Sequence, residues 1–250
     1  MTSTTESTIN AAQHGSQWRR STRILLRVSL ERAAWFWALA VVVIAAVLFT
    51  ISRAIDPQMS AVQFAYHGTL WYQFAMMIAV FIGYAGAHVA NGMTRRSFTL
   101  GSLITAAVTA AVNAAVITVL LVLEQWIYAQ SGWYHGRSNI DAEVLTNGLW
   151  PYVWGGVVIF VAGNLSGLLV AATYYRVGGW WGTLCLPLTL APLLLVSVFA
   201  LDHEVQWTPW DLTTDVLGTG RVVLAIVVIA VGALAYSLMV RRIPIATHPS

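Results

Sequence analysis

The chain contains 250 residues, of which 58% are hydrophobic and 9% are charged, whereas a soluble protein carries about 25% charged residues; an ordinary soluble protein is therefore excluded. All 13 basic residues are arginines, which excludes the lysine-dependent phosphate-binding loop of ATPases, and the single cysteine, Cys185, excludes an internal disulfide bond and a cysteine zinc site. The net charge of +3 gives no reason to expect nucleic acid as a partner.

The N-terminal residues divide into two segments of different character. Residues 1–15 are rich in threonine and serine and have no apolar period, which predicts a disordered cytosolic tail. Residues 17–32 have a helical pattern with a basic side and an apolar side, which predicts an amphipathic helix on the inner leaflet. Such a helix either anchors the chain to anionic lipid or docks a cytosolic partner. The basic side consists of Arg19, Arg20, Arg23, Arg27 and Glu31, and the opposite side of Trp18, Ile24, Leu25 and Val28.

Six later stretches are apolar and long enough to cross the roughly 30 Å of hydrocarbon in a bilayer. No charged residue falls within any of them. The pattern predicts an all-α membrane protein with six transmembrane helices, an N-terminal amphipathic interfacial helix and short extracellular helices. The predicted spans are residues 33–52, 71–90, 100–123, 152–175, 182–201 and 222–240.

The arginines predict the orientation of the chain. An even number of spans places both termini on one side of the membrane, and cytosolic segments of membrane proteins carry an excess of arginine. We therefore expect a multi-pass cell-membrane protein with both termini in the cytosol. In this orientation Arg53, Arg137 and Arg221 lie outside, whereas the inner arginines are Arg19, Arg20, Arg23, Arg27, Arg32, Arg95, Arg96, Arg176, Arg241 and Arg242.

The predicted spans offer packing residues rather than reactive groups. They contain no Asp, Glu, Arg or Lys, the residues from which proton relays are usually built. Asn113 and Asn164 are predicted to form hydrogen bonds between helices. Gly163 and Gly167 let helices approach closely, either within one bundle or at a contact between subunits. Trp37 is predicted to anchor the chain at the inner membrane surface.

The residues that could form a catalytic or metal site do not have the spacing that such sites need. Ser166 lies in a Gly-Asn-Leu-Ser-Gly stretch whose spacing differs from that of an intramembrane serine protease, and no later span supplies a histidine base. Its hydroxyl can return a hydrogen bond to its own helix. The consecutive residues Asp202, His203 and Glu204 cannot converge well on one metal ion. We therefore expect no catalytic residue, no metal and no cofactor bound by this chain.

The outer connections carry helix-start signals. Thr208 followed by Pro209 has the form of a helix cap with proline at the first helical position, which predicts a short helix from Pro209 to about Leu217. A similar start at Asn139 predicts another short outer helix before the fourth span.

The turn between the second and third spans, residues 91–98 with the sequence NGMTRRSF, resembles the (N/M)G-x-(S/T)-R-R-x-F stretch of bacterial ABC transporter permeases of the type 2 export class. Two further stretches agree with this family, Gly167 through Gly178 and Arg241 through Pro244. With the span count and the amphipathic helix, the resemblance covers about residues 17–245.

The resemblance implies a half-transporter. Residues 16–245 would form the permease domain, with a short cytosolic tail at 246–250. A separate cytosolic ABC ATPase subunit, which binds ATP and Mg, would power the movement of an unidentified solute. The uncharged spans suit a hydrophobic or amphipathic solute, although a polar one could pass along backbone and hydroxyl groups between subunits. A second permease copy or a sister permease would complete the membrane part, and the 202–221 connection would dip back from the outer surface. The ATPase-coupling residues implied by the family are Gly92, Met93, Thr94, Arg95, Arg96 and Phe98.

Other interpretations of the sequence stay open at this point. Arg95 and Arg96 also suit a plain positive anchor on the inner side of the membrane. The alternative functions are a non-transporting multi-pass partner, sensor or immunity protein and, less favoured, a membrane-embedded hydrolase.

Overall fold

The computed structural model describes residues 2–52, 60–131, 149–199 and 218–241, and the regular structure within them is α-helical. Five of the helices are long and apolar enough to cross a membrane, which confirms the predicted multi-pass helical character. The short outer helices at Asn139 and Pro209 and the 246–250 tail lie outside the described residues. The helices are α1 (Thr2–Ser52), α2 (Ala61–Ala90), α3 (Arg95–Ser131), α4 (Leu149–Leu184), α5 (Leu186–Phe199) and α6 (Gly218–Arg241).

Contacts between helices fix their relative directions. The start of α3 lies beside the N-terminal part of α1, because Gly101 faces Ser21, and beside the end of α6, because Arg95 bonds to Arg241. We call this end of the bundle, which carries the α2–α3 connection, the turn end. The described N-terminal part of α1 and the last residue of α6 both approach it.

Helix α4 forms the centre of the bundle. It contacts α2, α3, α5 and α6, and most of its apolar membrane-spanning stretch is buried. One cluster of buried side chains near the turn end includes Phe81, Phe98, Leu168 and Tyr236. A second cluster, which includes Phe160, extends toward the opposite end. The two clusters hold the α2–α3 connection and the surrounding helix ends in one packed body.

Glycines on α4 allow α2 to approach it closely. A Cβ atom at Gly163 would lie 2.8 Å from Leu70 Cδ1, and a Cβ atom at Gly167 would overlap the carbonyl oxygen of Phe74. The Gly163–Gly167 pair therefore packs within this bundle, so the face that these two glycines form is occupied by α2.

Helix α1 differs from the two separate segments expected from the sequence. It is one continuous helix, Thr2–Ser52. It therefore includes most of the 1–15 segment, for which disorder was predicted. Adding residues to an existing helix is far easier than nucleating one. The 17–32 segment and the first span are likewise parts of this one helix.

The buried face of α1 also differs from the predicted apolar side. Of that side, Leu25 is buried but Ile24 is exposed, and Ser21 and Ser29 are buried on the same face as Leu25. The predicted basic side is exposed. The contact is close because Gly101 has no side chain where it faces Ser21. The buried stripe, at a spacing of four residues, consists of Ser21, Leu25, Ser29, Ala33 and Trp37.

Helix α5 is shorter than the fifth predicted span, 182–201. Its 14 residues extend about 21 Å at 1.5 Å per residue, less than the hydrocarbon thickness of about 30 Å. Residues 182–184 belong to α4, whose helix is kinked at Gly178 (φ 79°, ψ −179°), a conformation that is essentially restricted to glycine. Pro187 favours a new helix start at Leu186 because proline suits the first turn of a helix.

Candidate functional site at the turn between α2 and α3

The connection between α2 and α3 is a tight turn of four residues, 91–94. Gly92 adopts φ 73°, a left-handed conformation in which glycine has no steric penalty. The backbone nitrogen of Gly92 donates to Val89 O (2.9 Å), and that of Met93 donates to His88 O (3.2 Å). These two bonds form the Schellman motif that ends a helix at glycine, so α2 has a fixed end at this turn.

The start of α3 is capped as well. The Ser97 backbone nitrogen donates to Thr94 Oγ1 (3.2 Å), the usual arrangement of a threonine N-cap. The Ser97 hydroxyl donates to the Thr94 carbonyl oxygen (2.7 Å) and lies 3.1 Å from His88 Nε2, which leaves the imidazole nitrogen as the donor in that contact. Side chains from both helices thus bridge the turn and hold it rigid.

The two arginines that begin α3 have different environments. Arg95 is half-buried, and its Nη1 donates to the backbone oxygen of Arg241, the last residue of α6, at 3.1 Å. Arg96 is exposed, and no hydrogen bond or ion pair to its guanidinium occurs among the described residues. Arg95 therefore connects α3 to α6, whereas Arg96 is free to bind a partner.

Phe98 is placed in the core rather than on the surface of the turn. It is 2% exposed, its ring meets Phe81 edge-on at 5.6 Å between centroids, and the His88 ring lies 5.4 Å away. Phe81 also meets the ring of Tyr175 on α4. Phe98 thus fixes the turn to the centre of the bundle and contacts no partner directly in this conformation.

The basic segment of α1, residues 17–32, is connected to this turn by buried side chains. Leu25 of α1 belongs to the same buried cluster as Phe98. Trp18 is half-buried with Arg19 stacked over its ring at 5.5 Å, and Arg20, Arg23 and Arg27 are exposed. Exposed cations on α1 and on the turn therefore lie toward the same end of the bundle.

A polar network in the interior was only partly foreseen. Trp37 Nε1 donates to Asn113 Oδ1 at 2.7 Å, so this tryptophan is a buried link between α1 and α3 rather than a surface anchor. Asn164 Nδ2 of α4 donates to Gln73 Oε1 of α2 (3.1 Å) and to the Ala106 carbonyl oxygen of α3 (2.8 Å). Gln73 was missed, although a glutamine within an apolar span is itself a signal of an interhelical bond.

Glu124 is a second residue whose burial and structural role the sequence did not indicate. Helix α3 continues to Ser131, past the predicted end of its span at residue 123, and Glu124 is 4% exposed. Its carboxylate accepts hydrogen bonds from Ser60 Oγ (2.5 Å), Ala61 N (2.7 Å) and Val62 N (3.3 Å). It therefore caps the first turn of α2 and balances the partial positive charge at that helix end.

The hydroxyl of Ser166 is occupied by a bond to another helix. Ser166 is fully buried, and its Oγ accepts a hydrogen bond from the backbone nitrogen of Leu193 at 3.1 Å. The sequence suggested a bond within its own helix, whereas the donor belongs to α5 and directly follows Pro192. The described residues contain no group of three or more His, Cys, Asp or Glu side chains that could hold a metal ion.

Comparison of the chain with protein-family models, with curated proteins and with solved structures found no match.

Proposed function

We propose that this chain is the membrane-spanning permease subunit of an ATP-driven exporter of the ABC type, working with a separate cytosolic ATPase. The observation that carries the proposal is the α2–α3 turn. The exposed cation Arg96 lies in the first turn of α3, directly after a connection whose two helix ends are capped. An exposed guanidinium can form two parallel hydrogen bonds with a carboxylate of a partner.

The connections of this turn to the bundle support a mechanical role. Arg95 joins it to the end of α6, and Phe98 joins it to Phe81 and through that ring to Tyr175 of α4. A force applied at Arg96 would therefore reach α2, α3, α4 and α6 together rather than bend a loose loop. Closure of an ATPase dimer would be converted into a rocking of helices against one another.

The interior of the bundle is consistent with transport powered by a separate ATPase subunit. Glu124, the acid buried among the described residues, is committed to capping α2. The Ser166 hydroxyl is buried and accepts a backbone hydrogen bond, which disfavours the hydrolase alternative. Neither group is arranged to carry protons across the bilayer or to attack a substrate.

The distribution of arginines supports placing the turn end in the cytosol. Of the 13 arginines, ten lie in segments assigned to the side of the turn, and Arg53, Arg137 and Arg221 lie in segments assigned to the opposite side. By the positive-inside rule both termini are then cytosolic, the ATPase binds at the turn, and a second permease copy or sister permease completes the transporter. The uncharged spans suit a hydrophobic or amphipathic cargo.

The first test compares charge reversals at Arg96 and at Arg176 in the full-length tagged chain. After extraction in mild detergent, we expect the wild type to retain a P-loop ATPase. Arg96→Glu should reduce that retention at least about tenfold, equivalent to about 1.4 kcal/mol of binding, and should uncouple ATP hydrolysis in liposomes. Arg176→Glu makes the same charge reversal at the same end of the bundle and should retain the ATPase.

Arg95→Glu provides a structural comparison because Arg95 bonds within the chain. It should lower the thermal stability of the purified protein, whereas Arg96→Glu should not. The proposal would be refuted if the wild type retains no P-loop ATPase, or if Arg96→Glu binds it and couples hydrolysis as the wild type does.

A further inference from the structure

An apolar groove of about 520 Å³ lies between α4, α5 and α6, within the range of about 300–1,000 Å³ found for small-molecule sites. We call it the α4–α6 groove. Its walls include Leu169 of α4, Leu188 and Leu195 of α5, and Val231 and Ala235 of α6. Gly232 lets α6 approach α4 and α5 at this point, since a Cβ atom there would lie 2.8 Å from Leu165 and 3.2 Å from Pro192.

The hydroxyl groups in the groove are already satisfied. Thr173 Oγ1 donates to the Leu169 carbonyl oxygen at 2.8 Å, and Thr189 Oγ1 donates to the Leu186 carbonyl oxygen at 3.1 Å. A polar occupant would lose its hydration without gaining partners from these walls, which is unfavourable. The chemistry of the walls therefore selects a hydrocarbon chain.

One cation, Arg176, lines the same groove. It is exposed and lies two residues before the kink at Gly178, on the last turn of the long part of α4. The carboxylates whose side chains the structure describes are far from it in the fold: Glu31 belongs to α1, which does not contact α4, and Glu124 caps α2. Within the described part of the chain, Arg176 thus has no acidic partner.

A hydrocarbon groove with an unpaired cation at its side matches an anionic lipid. We infer that the α4–α6 groove binds an anionic phospholipid, with one acyl chain between α4, α5 and α6 and the phosphate on Arg176. Basic sites between transmembrane helices on the cytosolic side recognise lipid head groups in this way. The lipid site requires only that the chain lies in a bilayer. Its test is therefore independent of whether the chain is coupled to an ATPase.

The experiment measures lipid retained by the purified full-length chain. The protein is exchanged into detergent with equal amounts of phosphatidylglycerol and phosphatidylcholine of identical acyl chains, and bound lipid is counted by native mass spectrometry. The wild type should retain phosphatidylglycerol at least about fivefold over phosphatidylcholine. Arg176→Gln should abolish this preference, and Arg176→Lys should largely keep it because the charge is restored.

Matched variants separate the groove from general effects. Ala235→Trp fills the groove from an exposed wall position and should reduce retention of both lipids. Leu234→Trp places the same side chain at the neighbouring exposed position outside the groove and should leave retention unchanged. Arg96→Gln removes one charge from the same end of the bundle and should keep the wild-type preference. Monodisperse elution identifies the variants that fold.

The groove also contains the only cysteine of the chain, Cys185, so its modification reports occupancy. Phosphatidylglycerol should slow the reaction of Cys185 with N-ethylmaleimide severalfold in the wild type and not in Ala235→Trp. The lipid site is overturned if Arg176→Gln and Arg96→Gln show the same preference for phosphatidylglycerol, or if Ala235→Trp and Leu234→Trp retain the same amount of lipid. It is also overturned if phosphatidylglycerol does not change the rate at which Cys185 reacts. It is equally overturned if the wild type retains no lipid and instead dimerises through the groove, with Ala235→Trp monomeric.

Discussion

At the scale of single residues, Arg95 and Arg96 are adjacent and chemically identical, yet their surroundings give them different tasks. The helical rotation of about 100° between consecutive residues turns Arg95 toward the end of α6 and leaves Arg96 exposed. Phe98 is turned into the core by the same geometry. Of the six implied coupling residues, Arg96 is therefore the one best placed to bind a partner, while Arg95 and Phe98 position the turn.

Glu124 provides a residue-scale prediction about stability. Glu124→Ala removes the acceptor of three hydrogen bonds at the start of α2, and unsatisfied buried donors cost about 1–3 kcal/mol. We expect a loss of stability of about that size, measured by tryptophan fluorescence during thermal unfolding in detergent. Glu31→Ala, which removes an exposed acid from α1, should change stability by less than about 0.5 kcal/mol. Equal effects of the two substitutions would contradict the capping role.

At the scale of helices, the close packing of α4 on α2 depends on missing side chains. Gly167 faces backbone, because a Cβ atom there would overlap the Phe74 carbonyl oxygen, whereas Gly163 faces the end of a flexible leucine side chain. Backbone cannot move aside without shifting a helix, but a leucine can change its rotamer. The two glycines of one sequence motif therefore tolerate substitution to different extents.

The corresponding prediction compares alanine substitutions at three helical glycines. Gly167→Ala should destabilise the protein by about 1–3 kcal/mol through overpacking, and Gly163→Ala should have a smaller effect. Gly83→Ala is the control, because nothing lies within 4 Å of a Cβ atom there and alanine is the better helix former by up to about 1 kcal/mol. Unfolding in increasing sodium dodecyl sulfate measures the order. A Gly167→Ala protein as stable as Gly83→Ala would show that α2 and α4 are not packed as described.

At the scale of the whole molecule, the proposed cytosolic surface is the turn end of the bundle, where several helix ends meet. The contact of Ser21 with Gly101 and that of Arg95 with Arg241 lie near the turn. The N-terminal part of α1 is therefore held along α3. In a bilayer this arrangement would carry the arginine-bearing helix ends beyond the hydrocarbon, within reach of a cytosolic partner.

The predicted orientation can be tested with single cysteines in a Cys185→Ser background. Asn91→Cys lies in the exposed turn, and Ser131→Cys lies at the exposed opposite end of α3. In right-side-out membrane vesicles, an impermeant maleimide should label Ser131→Cys and should label Asn91→Cys only after the membrane is permeabilised. The reverse labelling pattern would place the turn outside and would remove the proposed ATPase-binding surface from the cytosol.

The sequence by itself determined that the chain is a multi-pass helical membrane protein, because apolar runs of about 20 residues free of charge have few other stable arrangements. It also located the turn between the second and third spans within residues 91–98, since a polar stretch with two arginines separates two apolar runs there. The tertiary structure alone distinguished Arg95 from Arg96, buried Phe98, made Glu124 a cap for α2 and formed the groove at Arg176. Each of these depends on which distant helix lies opposite a side chain, and hydropathy along the chain carries no information about that neighbour.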